Sequence, residues 1–276
     1  MLLGAEMDVI VQAVRTAAKA AVVPRFRALE EADVSQKRDF ADLVTVADTE
    51  AEAMMGALLA QSWPEARVLG EEAVAANPSL RAAMAGRGWQ VIVDPVDGTW
   101  NFAKGLACFG MIAVAVKDGV PVYGLLYDPL LDDWVEAQAD GAARFVRSDG
   151  AATVLRVSGQ ADPAQMCGYV PVGLFDPERR RAAVLAGLGY GRVTSLRCSC
   201  HEYRLLAQGH VEFVISGPEP HPWDHAAGVL AVQAAGGVAR FLDGAAYDLA
   251  RRHGVLIVAN SEATWAQVAR DYAGLA

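Results

Sequence analysis

No stretch of the 276-residue chain approaches the roughly 20 continuous apolar residues that span a bilayer, so the sequence predicts no transmembrane helix and no membrane partner. Its 53% hydrophobic content comes largely from Ala, Val and Leu spread between polar residues. Cysteine is scarce. Cys108, Cys167, Cys198 and Cys200 are too few and too irregularly placed for a disulfide framework in a chain this long, and reduced thiols are the expectation. Cys198 and Cys200 form a C-x-C pair, but no second Cys/His pair follows at structural-zinc spacing. Positive charge is also short: 24 Lys and Arg stand against 33 Asp and Glu, a formal charge of -9. That balance argues against a surface that wraps nucleic acid, which must neutralise phosphates. The N-terminal stretch carries Glu6 and Asp8 where a secretory signal has basic residues ahead of an apolar run, so it reads as the first helix of a cytoplasmic protein.

What is present is an α+β pattern. Ile10, Val14, Ala17, Ala21 and Val22 recur at helical spacing and predict a helix over residues 7–32, which Pro24 bends or shortens. A second helix is predicted from Asp48 to Gln61, with Met54, Met55, Leu58 and Leu59 on its apolar face and Trp63-Pro64 ending it. Short β-rich runs follow, and residues 109–157 read as an antiparallel meander. The second half alternates strands near 166–170, 193–197, 211–215, 238–241 and 255–259 with helices near 177–188, 199–208, 223–235 and 261–272, an α/β layer pattern. No linker, repeat or low-complexity tract separates the halves, so any subdomains pack closely.

Carboxylates placed where chains normally bury apolar groups carry the chemistry. Trp89-Gln-Val-Ile-Val-Asp94-Pro-Val-Asp97-Gly98-Thr99 is an apolar strand running into two aspartates three residues apart and a glycine. An ordinary turn accounts for Asp, Pro and Gly at this position equally well. The functional alternative has Pro95 fixing the backbone so that both carboxylates converge on one hard cation, with Gly98 and Thr99 offering N–H groups to an anion. Leu69-Gly70-Glu71-Glu72 ends another short strand with paired carboxylates, and Trp223-Asp224 opens an Ala/Gly-rich helical segment. Singly, Glu71 is a solvated strand end and Asp224 an N-cap. Together with Asp94 and Asp97 they require several coincidences.

The ordered set L-x-G-E-E, W-x-x-x-x-D-P-x-D-G-T-x-N-F and W-D-x-A-A-G resembles the inositol monophosphatase family. The likeness runs over nearly the whole chain, including Asp42-Leu-Val-Thr45-Val-Ala-Asp48 and Gln233-Ala-Ala-Gly236-Gly237. It implies an α+β fold, the αβαβα layered sandwich of the inositol monophosphatase and fructose bisphosphatase type. An N-terminal α+β subdomain (1–160) would carry most ligands, and a C-terminal α/β subdomain (161–276) would supply Asp224 and the substrate wall. The resemblance further implies two or three Mg2+ ions per active site, lithium sensitivity, a small phosphorylated metabolite as substrate and a homodimer. Carried over by motif, Glu71, Asp94 and the Val96 carbonyl would hold one metal, while Asp94, Asp97 and Asp224 would hold a second. Glu71 and Thr99 would hold the attacking water, Asp48 would orient Thr99, and Gly98 and Thr99 would cradle phosphate. Lys37 matches a family lysine near the metals; a solvated loop charge is the alternative.

Specificity is where the chain departs. Inositol-specific members carry an acidic residue seven positions before the W-D aspartate, and Gly217 stands there. Glu219, two residues later, can substitute for it from a proline-rich loop or lie solvated. Ser199-Cys200-His201-Glu202-Tyr203-Arg204 replaces small residues with hydrogen-bonding ones, although Ser199 and Glu202 also fit a capping box. His201, His221 and His225 are read as structural or pocket-wall residues, and Lys104 stands where the family often has histidine. The expectations are a Mg2+-dependent phosphomonoesterase, with histidinol phosphate the main rival to inositol phosphate as substrate. A non-catalytic regulatory protein of the same fold is the competing class.

Overall fold

The computed structural model describes residues 4–276. Helix α1 (Gly4–Ala17) buries Ile10, Val11, Val14 and Ala17. It continues as a π turn over Ala18–Val22 and a 3-10 turn over Val23–Arg25, so the helical run stops at Pro24-Arg25, short of residue 32. Strands β1 (Val34–Gln36) and β2 (Leu43–Thr45) pair as an antiparallel ribbon that the polar run between them does not announce. Helix α2 (Val46–Ser62) starts at a reciprocal cap: the Thr45 side chain accepts from the Ala47 N–H, and Asp48 reaches back to the Thr45 N–H.

Strand β3 (Ala66–Gly70), helix α3 (Glu71–Ala76), a 3-10 segment (Pro78–Ala85), strand β4 (Trp89–Asp97) and the short helix α4 (Thr99–Ala103) follow in order. Then come β5 (Gly110–Lys117), β6 (Val120–Asp128), β7 (Asp133–Gln138), β8 (Arg144–Val146) and β9 (Ala152–Val154). Strands β3 to β9 form a seven-stranded sheet in chain order, parallel only at β3–β4. Residues 109–157 are the antiparallel meander that their alternation predicts.

The second half runs β10 (Cys167–Tyr169), α5 (Pro177–Gly187), β11 (Arg192–Thr194), α6 (Ser199–Ala207), β12 (Phe213–Ser216), α7 (Pro222–Ala234), β13 (Val238–Phe241), β14 (Leu256–Ala259) and α8 (Glu262–Asp271). Its five strands are ordered β11-β10-β12-β14-β13.

Three apolar clusters hold five layers together. Helices α1 and α2 bury Ile10, Val14, Met55 and Leu59 against one face of the large sheet, where β5 contributes Met111, Ala113 and Ala115. The opposite β5 residues, Ile112, Val114 and Val116, face α6 and α7, which lie between the two sheets. A third cluster joins α5 and α8 to the far face of the small sheet through Ala183, Val268, Phe213 and Ile257. The result is the αβαβα sandwich.

The middle layer explains the Ala/Gly composition of α7. A Cβ on Gly124 would stand 2.9 Å from the Ala227 Cα, and one on Gly228 would stand 2.2 Å from the Tyr203 ring. Only small residues admit helix and sheet at that separation. This close packing brings the first turn of α7 to the C-terminal end of β4.

Candidate metal and phosphate site

Two aspartates three residues apart on a regular strand point to opposite faces. Strand β4 avoids this by an irregularity: Asp94 pairs with Ile112 and Asp97 with Gly110, so three steps on β4 match two on β5. Both carboxylates therefore reach the same side. Immediately afterwards Gly98 adopts φ 85°, starting α4. A Cβ there would meet Cys108 O at 3.1 Å and Cys198 Cβ at 3.2 Å, so the position is closed to other residues by conformation and by space.

Asp224 arrives from α7. It is not the N-cap of that helix; His221 holds that position and Pro222 begins the first turn, which leaves the Asp224 carboxylate free to project inward. Asp94, Asp97 and Asp224 each offer an oxygen, and the three oxygens lie within 4.8 Å of one another. Asp94 and Asp97 are buried and Asp224 is partly exposed. Burial first, then mutual repulsion and the nearby Glu71, push Asp94 and Asp224 well above the carboxylate range. Asp97 rises less, to about 6, because the Cys200 N–H and the Cys198 thiol donate to it.

Such a cluster is unfavourable unless protons or a cation relieve it. The donors are all oxygen, and they fit a hard divalent cation better than zinc or copper.

Glu71 opens α3 beside this cluster. Its carboxylate accepts from Lys37 Nζ at 2.7 Å, and the same ammonium reaches Glu72 at 2.6 Å. Lys37 is thus anchored in a carboxylate pair, not solvated, and these carboxylates raise its pKa despite burial. Glu52, on α2, accepts from the Glu72 and Ala73 N–H groups at 2.8 Å each and so fixes the start of α3. A Cβ on Gly70 would lie 2.1 Å from the Glu52 carboxylate, so a larger residue there would have to displace Glu52 from these N–H groups. Sequence reasoning missed Glu52. Its signal was the four-residue spacing from Asp48, which puts both acids on one face of α2.

The Thr99 hydroxyl lies 3.1 Å from Asp48 Oδ1 and 2.9 Å from the Val96 carbonyl. Asp48 Oδ2 accepts from the Thr45 hydroxyl and N–H, yet burial still pushes its pKa up to about 7. The structure therefore links Asp48, Thr99 and Val96 directly.

The other predicted residues divide. Cys200 contributes its N–H to Asp97, while its thiol is buried beneath Gly110 and faces the Tyr127 and Met111 carbonyls. His201 turns away to the Phe109 carbonyl, 2.9 Å from Nε2, and lines a cavity of about 230 Å3 with Cys108, Leu196 and Arg204 that none of the aspartates of the cluster lines. Glu219 is exposed on the loop before α7, 3.5 Å from His253 Nδ1. Glu202 does not form a capping box with Ser199. Cys198 is the N-cap of α6, and Glu202 Oε1 instead accepts from Leu196 N at 2.7 Å and Ser195 Oγ at 3.1 Å, securing the loop that delivers the Cys200 N–H.

Known proteins place this architecture. The model of the inositol monophosphatase family matches residues 5–273. A histidinol-phosphatase of Mycobacterium tuberculosis is 33% identical over 215 residues, 74% of this chain and 75% of that one. A fructose-1,6-bisphosphatase/inositol-1-monophosphatase of Thermotoga maritima is 27% identical over 207 residues, 75% and 74% of the respective chains. Among solved structures, an inositol monophosphatase from Zymomonas mobilis superposes with a TM-score of 0.77 at 26% identity, covering 99% of this chain and 100% of that one. An inositol monophosphatase/NADP phosphatase complexed with NADP and Ca2+ gives 0.81 at 20% identity over 96% and 94%. These relatives are phosphatases, and with a family match over almost its whole length this chain belongs to the inositol monophosphatase family.

Proposed function

We propose that the chain hydrolyses small phosphate monoesters with Mg2+ held by its carboxylate cluster, by direct attack of water and without a covalent intermediate. The observation that carries this reading is the convergence of Asp94, Asp97 and Asp224 oxygens within 4.8 Å beside the linked Thr99 and Asp48. Asp94, Asp97 and Asp224 would hold one ion, and Glu71, Asp94 and the Val96 carbonyl another, two of the two or three per site that the family resemblance implies. Bound Mg2+ supplies charge neutralisation for the phosphate dianion and its departing oxygen, and acidifies water.

The chain's own groups do the rest. Glu71 accepts a proton from the attacking water, and Thr99 holds that water by its hydroxyl lone pair while donating its own proton to Asp48. The Gly98 and Thr99 N–H groups receive phosphate oxygens, a task oriented amides perform without reorganisation. Lys37, poised between Glu71 and Glu72, holds the Glu71 carboxylate in place. Cys200 takes part through its N–H, by orienting Asp97; Glu219, exposed on the loop before α7, is the side chain we assign to the wall around the alcohol, while His201, turned to the Phe109 carbonyl, is left out of it.

The alcohol is a small polyol or amino alcohol. Histidinol phosphate stands beside inositol phosphate because Gly217 leaves no acidic side chain at the ring-hydroxyl position and because of the 33% identity to a histidinol-phosphatase. We take the working form to be a homodimer, as the family resemblance implies, and its place to be the cytoplasm.

The test is phosphate release from inositol 1-phosphate, histidinol phosphate, fructose 1,6-bisphosphate and a 3'-phosphonucleotide with Mg2+ or EDTA. One Mg2+-requiring substrate supports the proposal and names the alcohol. Release unaffected by EDTA would refute the metal mechanism, and none from any ester would move the chain to the non-catalytic class.

A further inference from the structure

Arg81 has no place in the chemistry proposed above, yet the structure brings it to the first turn of α7. Its guanidinium lies over the Trp223 ring, 5.6 Å from the centroid, one residue before Asp224. Nη1 is 3.2 Å from His221 Nδ1, and Nη2 reaches the Pro220 carbonyl at 3.4 Å. The His221 ring stacks on Trp223 at 4.6 Å and 7°. Burial and the neighbouring cations hold the His221 pKa down to about 4, so near neutral pH its Nδ1 is an acceptor for Arg81 and carries no charge.

The guanidinium is thus fixed in position by neutral partners. Among the described residues neither Arg81 nor Arg252 enters an ion pair, although the fields of Arg252, Asp224 and Glu219 all act on Arg81. Tyr247, a buried hydroxyl within the field of Arg81 and Asp224, has no hydrogen-bond partner. A part-buried guanidinium with N–H groups to spare therefore stands over the residue before a metal-site aspartate, within the fields of the exposed Arg252 and of a buried hydroxyl that lacks a partner. Donors left so in a partly buried place are matched by an acceptor from outside.

We infer that Arg81, braced on Trp223 and the Pro220-His221 loop, forms a subsite for a second anionic group, carboxylate or phosphate, on the alcohol part of the substrate, with the exposed Arg252 adding its charge. The inference rests on the phosphomonoesterase reading and narrows its substrate class to esters with a negative charge beyond the one hydrolysed. A planar guanidinium held on an indole face presents its remaining N–H groups in a fixed fork, the geometry that recognises carboxylates and phosphates in two-point fashion. Bracing of the Pro220-His221 loop is the other role these contacts allow, and it predicts a different pattern of loss.

The experiment compares matched esters on the wild type, Arg81→Gln and Arg252→Gln: 2-phosphoglycerate against glycerol 2-phosphate, and fructose 1,6-bisphosphate against fructose 1-phosphate. The wild type should prefer the member with the second anion by about tenfold or more in kcat/KM, mainly through KM, the scale of one charge-assisted contact. Arg81→Gln should erase most of that preference and leave the neutral partner within about twofold, with a smaller effect from Arg252→Gln. The pair that shows the preference tells carboxylate from phosphate. Equal losses on both members, or no preference in the wild type, would overturn the subsite. Should no ester be turned over, titration calorimetry on the same pairs decides. Arg81-dependent tighter binding of the second-anion member would then refute hydrolysis and keep the subsite; equal binding would refute the subsite.

Discussion

Replacing Asp94 by asparagine should make the metal-free protein more stable above neutral pH, even though it removes the central metal ligand. Asp94, Asp97 and Asp224 offer oxygens within 4.8 Å of one another. Two unit charges at that separation repel by about 3.5 kcal/mol at an effective dielectric of about 20. Burial adds to this, so folding favours the protonated forms: Asp97 rises from 3.8 to about 6, and Asp94 and Asp224 rise well above 3.8.

For groups raised in this way the stabilisation is full below the unfolded value near 3.8 and is lost as pH climbs through the folded values. The Asp97 shift alone corresponds to about 3 kcal/mol lost between pH 4 and pH 7. Asparagine keeps the Oδ1 that accepts from Val96 N while removing the charge between its neighbours. A gain of about 1–3 kcal/mol at pH 8 in EDTA, or about 2–8 °C in Tm for a chain of this size, is expected. Thermal unfolding from pH 4 to 9, with EDTA or Mg2+, reads it directly. Wild type should weaken with pH in EDTA and be restored by Mg2+; the variant should show a flatter profile and little response to Mg2+. A variant less stable than wild type at pH 8 in EDTA would refute the electrostatic reasoning.

Further outcomes follow from the same geometry. Thr99→Ala should lower kcat by about 10- to 100-fold with KM and Tm little changed, and Thr99→Ser should recover most of it, because only the hydroxyl between Asp48 and Val96 is at stake. Gly228→Ala drives a methyl to within 2.2 Å of the Tyr203 ring and should cost about 1–3 kcal/mol in urea unfolding. Gly217→Glu should destabilise the protein by a similar or larger amount and confer no preference for inositol phosphate, since its Cβ would stand 2.9 Å from the Gly254 carbonyl. A stable Gly217→Glu variant with enhanced inositol phosphatase activity would contradict that placement.

The sequence discloses elements whose pattern is local. The 109–157 alternation yields the meander, and the start of α2 is legible because Thr45 and Asp48 form a capping box within four residues. The end of α1 is misjudged because an apolar period continues past Pro24, where the backbone turns to an extended Phe26 and a left-handed Arg27. Neither β1 nor β2 has an apolar face long enough to announce itself.

At the site, Asp94 and Asp97 look like a turn until the β4–β5 register offset is known, because strand periodicity alone separates their side chains. Asp224 and Glu71 read singly as an N-cap and a solvated strand end, since the approach of Asp224 depends on the depth to which α7 packs against Gly124 and that of Glu71 on the parallel pairing of β3 with β4. The roles of Glu52 and Glu202 are set by backbone N–H groups on other elements, which residue types do not reveal. Arg81 lies in a segment of Ala, Ser and Leu that carries no motif, and only its position over Trp223 gives it meaning.

The most direct test of the central claim is Mg2+-dependent phosphate release from histidinol phosphate and inositol 1-phosphate, measured for wild type beside Asp94→Asn. The account predicts turnover by the wild type that vanishes with EDTA and falls by at least about a thousandfold in the variant, which remains folded. Turnover retained by Asp94→Asn, or insensitive to Mg2+ in the wild type, would contradict a carboxylate-held metal as the seat of the reaction.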